Sequence, residues 1–105
     1  MSKVIEYTKG ILGGDDEFKT SFRGTMGNSF GYIILCNQRL LFIHEKGAGG
    51  EFNKILEVPY DSVQAYGFPE PNILSITQKD GNTNQIEVAG STLFLKMSLK
   101  DLIPQ

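Results

Sequence analysis

Apolar and polar residues fall along this chain in short runs separated by glycine and asparagine, the punctuation of a β domain. Residues 17–23 alternate cleanly. Phe18, Thr20 and Phe22 point one way and Lys19, Ser21 and Arg23 the other, which predicts a half-buried strand. Residues 24–29, rich in Gly and Asn, read as a turn. Residues 30–36 and 39–45 are the most apolar, and only Asn37-Gln38 lies between them, so a tight hairpin is predicted in which Asn37 takes a positive φ. Tyr32 and Ile34 lie on one face of this hairpin and Ile33 and Leu35 on the other, so both strands are expected to be central. Lys46-Gly47-Ala48-Gly49-Gly50 is a flexible connector. Residues 54–59, 62–68, 72–79 and 84–88 complete seven predicted strands, with turns at Pro59-Tyr60-Asp61 and Asp80-Gly81-Asn82-Thr83.

Residues 91–103 fit two periods. As a helix, the segment sets Leu95, Leu99 and Leu102 on one stripe and Leu93 and Met97 on the opposite side, beside Lys96 and Lys100. As a strand, it sets Leu93, Leu95, Met97 and Leu99 on one face, which is the cleaner pattern. Its helix-forming Leu, Lys and Met residues, Ser91 as a cap and Pro104 as a stop favour the helix.

A length of 105 residues allows one core. Residues 1–14 read as an N-terminal extension to a domain of residues 15–105. The 40% hydrophobic and 21% charged content is that of a chain that folds alone. With ten scattered basic residues and a net charge of −2, nucleic acid is not an expected partner, because phosphate affinity comes from clustered Lys and Arg. Cys36 is the only cysteine and lies in an apolar run, so it reads as core, and a chain that cannot form an internal disulfide fits a reducing compartment. The first residues lack the apolar stretch of a signal peptide, and no uncharged segment nears the ~20 residues that span a bilayer; a cytoplasmic location is expected.

Catalytic groups are scarce. His44 is the only histidine, and it shares a strand face with Leu40 and Phe42, the position of a packed or rim imidazole. One His and one Cys are too few for zinc, and Asp15, Asp16 and Glu17 lack the alternating spacing of a calcium loop, so they read as a solvated strand entrance. The Gly47–Gly50 run lacks the Lys-Ser/Thr of a phosphate loop. No catalytic residue, metal or cofactor is expected, and the chain does not read as an enzyme.

The run Tyr32-Ile33-Ile34-Leu35-Cys36-Asn37-Gln38-Arg39-Leu40-Leu41-Phe42 resembles a pattern of bacterial pleckstrin-homology-like and GRAM-like domains, an apolar strand followed by Thr/Cys-Asn-x-Arg-Leu-x-Phe. Leu56-Glu57-Val58-Pro59-Tyr60-Asp61-Ser62-Val63 is similar to the segment in which a short strand ends in Pro-Tyr before Asp-x-Val. Asn72-Ile73-Leu74-Ser75-Ile76 and the hairpin through Gly81 to Ile86-Glu87-Val88 resemble the last two strands. The resemblance spans residues 16–103. It implies a mainly β, seven-stranded antiparallel barrel of two near-orthogonal sheets with a C-terminal capping helix, and it implies association into oligomers. The chain departs from eukaryotic members in lacking a Trp in that helix, and only Lys19 and Arg23 match the basic residues of inositol-phosphate binders.

Two functions fit these readings. The first is a binding module acting through protein contacts or self-association, with Leu93, Phe94 and Met97 as its interface if residues 91–103 are helical. The alternative is membrane or lipid-headgroup association, with Lys19, Arg23, Lys96 and Lys100 as the anion contacts. Arg39 is expected to pair with an acidic neighbour or with carbonyls, in a structural role.

Overall fold

The computed structural model describes residues 3–47 and 50–104. Helix α1 (Lys3–Ile11) leads into strands β1 (Phe18–Met26), β2 (Ser29–Cys36), β3 (Arg39–Lys46) and β4 (Glu51–Pro59). A one-turn 3-10 helix (Tyr60–Ser62) precedes β5 (Val63–Glu70), β6 (Ile73–Gln78), β7 (Thr83–Val88) and helix α2 (Leu93–Leu102). All seven strands are antiparallel and form one hydrogen-bonded sheet in the order β4-β3-β2-β1-β7-β6-β5. Its two halves meet at only two residue pairs, Gly24↔Val88 and Thr25↔Glu87. The sheet curls so that both halves line one core: Leu35, Phe42 and Val58 pack with Leu74, Ile76 and Ile86, and Leu95 and Leu99 of α2 close it.

The β1–β2 turn is shorter than the glycines suggest. It is Gly27-Asn28 alone, with Gly27 at φ +62°, and the strand continues through Gly24. Gly24 serves close approach instead. It faces Gly31 across the hairpin, and a Cβ on Gly24 would lie 2.8 Å from the Glu87 carbonyl oxygen of the crossing strand β7. On Gly31 a Cβ would lie 2.0 Å from the Ile43 carbonyl oxygen, so no larger residue fits.

The β2–β3 hairpin forms where predicted, but Asn37 does not take a positive φ, and no described residue other than glycine does. Two-residue turns without that geometry splay their strands. Here neighbours hold the turn: the Asn37 N–H donates to the Glu17 carbonyl (2.8 Å), the Gln38 N–H to Asp16 Oδ1 (3.0 Å), and the Tyr60 N–H to the Gln38 carbonyl (3.0 Å). In the Lys46–Gly50 connector, Gly47 and Gly50 are at positive φ, while Ala48 and Gly49 lie outside the described residues.

Apolar residues on both faces of β2 and β3 find two partners. Ile33, Leu35, Leu40 and Phe42 enter the main core; Ile34, Cys36, Leu41 and Ile43 face outward and are buried under α1 through Val4, Ile5 and Tyr7. Residues 3–11, within the expected N-terminal extension, therefore form a helical cover on the sheet. Thr8, also buried in α1, donates its hydroxyl to the Val4 carbonyl at 2.7 Å.

Residues 93–102 are helical. Leu95 and Leu99 are fully buried and Leu102 packs against the core; the cap position is Thr92 rather than the expected Ser91, because the Thr92 carbonyl takes the first helical bond, from the Lys96 N–H, while the Ser91 hydroxyl oxygen accepts from the Leu93 N–H at 3.2 Å. The Ile103 N–H closes the helix on the Leu99 carbonyl, and Pro104 follows.

Candidate functional site

Once Leu95 and Leu99 point inward, the 100° step per residue turns Leu93, Phe94 and Met97 outward. They are 58%, 69% and 54% exposed, the three most exposed large apolar side chains among the described residues, and they are clustered within five positions of one helix. A helix that needed only its core stripe would carry polar residues there.

The four basic candidates are dispersed. Lys96 and Lys100 stand one turn apart on one flank of α2, where Lys96 Nζ lies 4.9 Å from the centre of the Phe68 ring of β5. Lys19 lies across the helix, beside Ser98 and Asp101, with Glu17 at 3.9 Å. Arg23 is on the sheet's outer side, its guanidinium stacked over Phe30 (4.6 Å) and Tyr32 (5.0 Å). The structure thus brings Lys96 and Lys100 together and sets Lys19 and Arg23 apart from them.

Asp16 corrects the reading of the acidic run as solvated. Glu17 is exposed, but the Asp16 carboxylate has no exposed surface. One oxygen accepts from the backbone N–H groups of Glu17 (2.8 Å) and Gln38 (3.0 Å), and the other from Arg39 Nε at 2.8 Å. Arg39 extends the network to Glu57 at 3.0 Å, and Lys54 also pairs with Glu57. Burial works against the Arg39 charge, but hydrogen bonding and attraction from Asp16 and Glu57 outweigh it and raise its pKa. The Glu57 carboxyl is lowered, first by its hydrogen bond with Lys54, against the opposing effect of burial. The spacing from Asp16 to Arg39 concealed this pair; the expected acidic partner of Arg39 is nonetheless there.

Beside this network Cys36 is buried, and burial, with the nearby Asp16 charge second, pushes its thiol up to about 12. It stays protonated at neutral pH and is a core residue. The Tyr60 hydroxyl donates to the Cys36 carbonyl at 2.7 Å, and burial raises its pKa as well. His44 Nδ1–H donates to the Phe30 carbonyl at 2.9 Å, the contact of a rim imidazole. Among the described residues no cluster of His, Cys, Asp and Glu could hold a metal ion, and no helix is long and apolar enough to cross a membrane.

No family model matches the chain, and no curated protein matches it. Solved structures do. A pleckstrin-homology domain from Shewanella amazonensis superposes with a TM-score of 0.70 at 12% identity, over 99% of this chain and 98% of that one. A protein with a pleckstrin-homology domain from Shewanella loihica gives 0.63 at 13% identity, over 95% and 93%. The C-terminal domain of an unknown protein from Leishmania infantum gives 0.58 at 12% identity, over 95% and 92%. At such identities the likeness concerns the fold: seven antiparallel strands closed by a C-terminal helix, as in pleckstrin-homology domains.

Proposed function

We propose that this pleckstrin-homology fold is a non-catalytic binding module, resident in the cytoplasm, that acts through protein contacts, and that the outer face of α2 meets the same face of a second copy. The observation that carries the reading is the exposed trio Leu93, Phe94 and Met97, apolar surface that the core does not use. Exposed apolar patches of this kind mark interfaces, and a patch that meets itself across a two-fold axis closes without leaving an open end. Residues 15–105 form the module in this reading, with residues 1–14 as an appended segment whose helix covers one sheet face. Light scattering on the eluting protein tests the proposal. A mass above the 11.6 kDa of one chain is expected, falling to one chain in Leu93→Asp with Met97→Asp. A single-chain mass in both proteins removes it.

Lipid-headgroup association has weaker support. The four basic candidates lie on different sides of the domain, and Arg23 and Lys96 are already stacked on aromatic rings. Each basic residue near an anionic surface contributes about 1 kcal/mol, so two lysines on one flank give little hold. No flotation with anionic liposomes at low salt is expected; flotation that Lys96→Glu and Lys100→Glu abolish would favour the lipid reading instead.

A further inference from the structure

Helix α1 is attached to the domain without taking part in its main core. None of its residues joins the cluster that α2 closes; it rests on the outer face of β2 and β3, over Ile34, Cys36, Leu41 and Ile43, through Val4, Ile5 and Tyr7. Its buried polar side chain, Thr8, is satisfied inside the helix by the Val4 carbonyl. Its polar link to the sheet is the Tyr7 hydroxyl, which accepts from the Lys54 N–H at 3.3 Å in an exposed position where water can replace it. Among the described residues Lys3, Glu6 and Lys9 make no ion pair.

Departure of α1 therefore strands no buried polar group. Strand β2 is hydrogen-bonded to β1 and β3, and β3 to β2 and β4, so the ladder beneath the helix stays paired. The chain is pinned again at Asp16, whose carboxylate holds Gln38 and Arg39, and Gly13 and Gly14 lie between that anchor and α1. Neither takes a positive φ, and a Cβ on Gly14 would meet nothing within 4 Å, so the closed position of α1 does not call for glycine there. Gly10, near the end of the helix, likewise has open space around it and weakens α1 relative to alanine.

We infer that the outer face of β2 and β3 is a helix-docking surface from which α1 is released as a unit about Gly13-Gly14, and that the occupant it then admits is the α1 of a second copy. The fit already seen identifies that occupant: Val4, Ile5 and Tyr7 of any copy match this face side chain for side chain. Two chains that trade helices leave neither face bare, and exchange of an identical element loses no contact. Once released, α1 is too short and too rich in β-branched residues to stay helical in water, so it folds again only on such a face. A chain's own helix and that of a second copy compete for the face, and the tether keeps the native chain mostly closed. This surface is separate from Leu93, Phe94 and Met97 of α2, and its occupant does not depend on the contact proposed there.

Native-state hydrogen exchange on the nitrogen-15-labelled full chain reads the release. The amides of residues 8–12 should exchange through one common opening, about a hundredfold or more faster than those of residues 33–35 and 40–42. A capped peptide of residues 3–14 reads the docking. Added to the labelled full-chain variant Val4→Asp, whose own helix is displaced, it should shift the amides of residues 33–36 and 41–43 with a Kd of about 1 mM, weak because the peptide must order as it binds. Unlabelled native chain, the second copy itself, should shift the same amides. Labelled native chain, its face already filled, should bind the peptide about tenfold more weakly, and a peptide carrying Val4→Asp should not bind. Leu93→Asp with Met97→Asp should leave these results unchanged, so failure of the α2 contact is not mistaken for failure here. Exchange of helix and strand amides at one rate, unfolding of the strands in Val4→Asp, or a peptide that binds neither chain or both equally would overturn the inference.

Discussion

Helices α1 and α2 are both short, nine and ten residues, and both bury an apolar stripe against the sheet, yet they dispose of their remaining surface differently. In α1, Val4, with Ile5 and Tyr7 beside it, packs on Ile34, Leu41 and Ile43, and Lys3, Glu6 and Lys9 face water. In α2, Leu95 and Leu99 fill the core, but Leu93, Phe94 and Met97 stand in solvent on the opposite side. A helix apolar on one side is explained by the fold it covers. One that is apolar on two sides keeps surface the fold does not use, and the proposed self-association rests on that difference more than on the fold itself.

The largest effect that sharpens the contrast is at the core side of α2. Leu99→Ala should cost about 2–5 kcal/mol in urea unfolding, since its side chain is fully buried. Val4→Ala, in α1, should cost about 2 kcal/mol, because the outer cluster it joins is smaller. If Val4→Ala cost more than Leu99→Ala, α1 could not be described as a cover on a sheet held together by α2. Leu93→Ser with Met97→Ser should shift stability by less than about 0.5 kcal/mol in dilute solution, as surface changes do. At high protein concentration the native chain should gain melting temperature and this variant should not, because association stabilises by mass action.

Glu57 has a lowered folded pKa, so its contribution is full above the ordinary carboxylate value of about 4.3 and is lost as pH falls through the folded value. The carboxyl is a third exposed, which limits the effect to about 0.5 kcal/mol. Glu57→Gln should flatten the acid limb of the stability curve below about pH 5 by that amount, while the gap between Leu99→Ala and Val4→Ala stays constant.

The strands and α2 could be read from the sequence because each repeats its signal: alternation in residues 18–23, apolar residues on both faces of the central hairpin, and the Leu95–Leu99 spacing. The outward direction of Leu93, Phe94 and Met97 follows from that spacing, so the candidate surface could be read as well. Helix α1 could not. It has β-branched Val4, Ile5 and Thr8, which are weak helix formers, and it is shorter than the ~12–15 residues that an isolated helix needs, so its stability comes from a sheet face distant in sequence. Asp16 was misread for the same reason: its partners Gln38 and Arg39 reach it only through folding. Gly24 looked like turn material because nothing local records that β7 crosses there.

Whether α2 meets another copy of itself can be read directly from a single introduced cysteine, since Cys36 is buried with its thiol protonated. Under mild oxidation with oxidised glutathione, Phe94→Cys should pass almost completely into a disulfide-linked pair on a non-reducing gel. Ile55→Cys, exposed on the β4 edge, should remain single. Equal yields of linked pair from the two positions, or none from Phe94→Cys, would contradict the account.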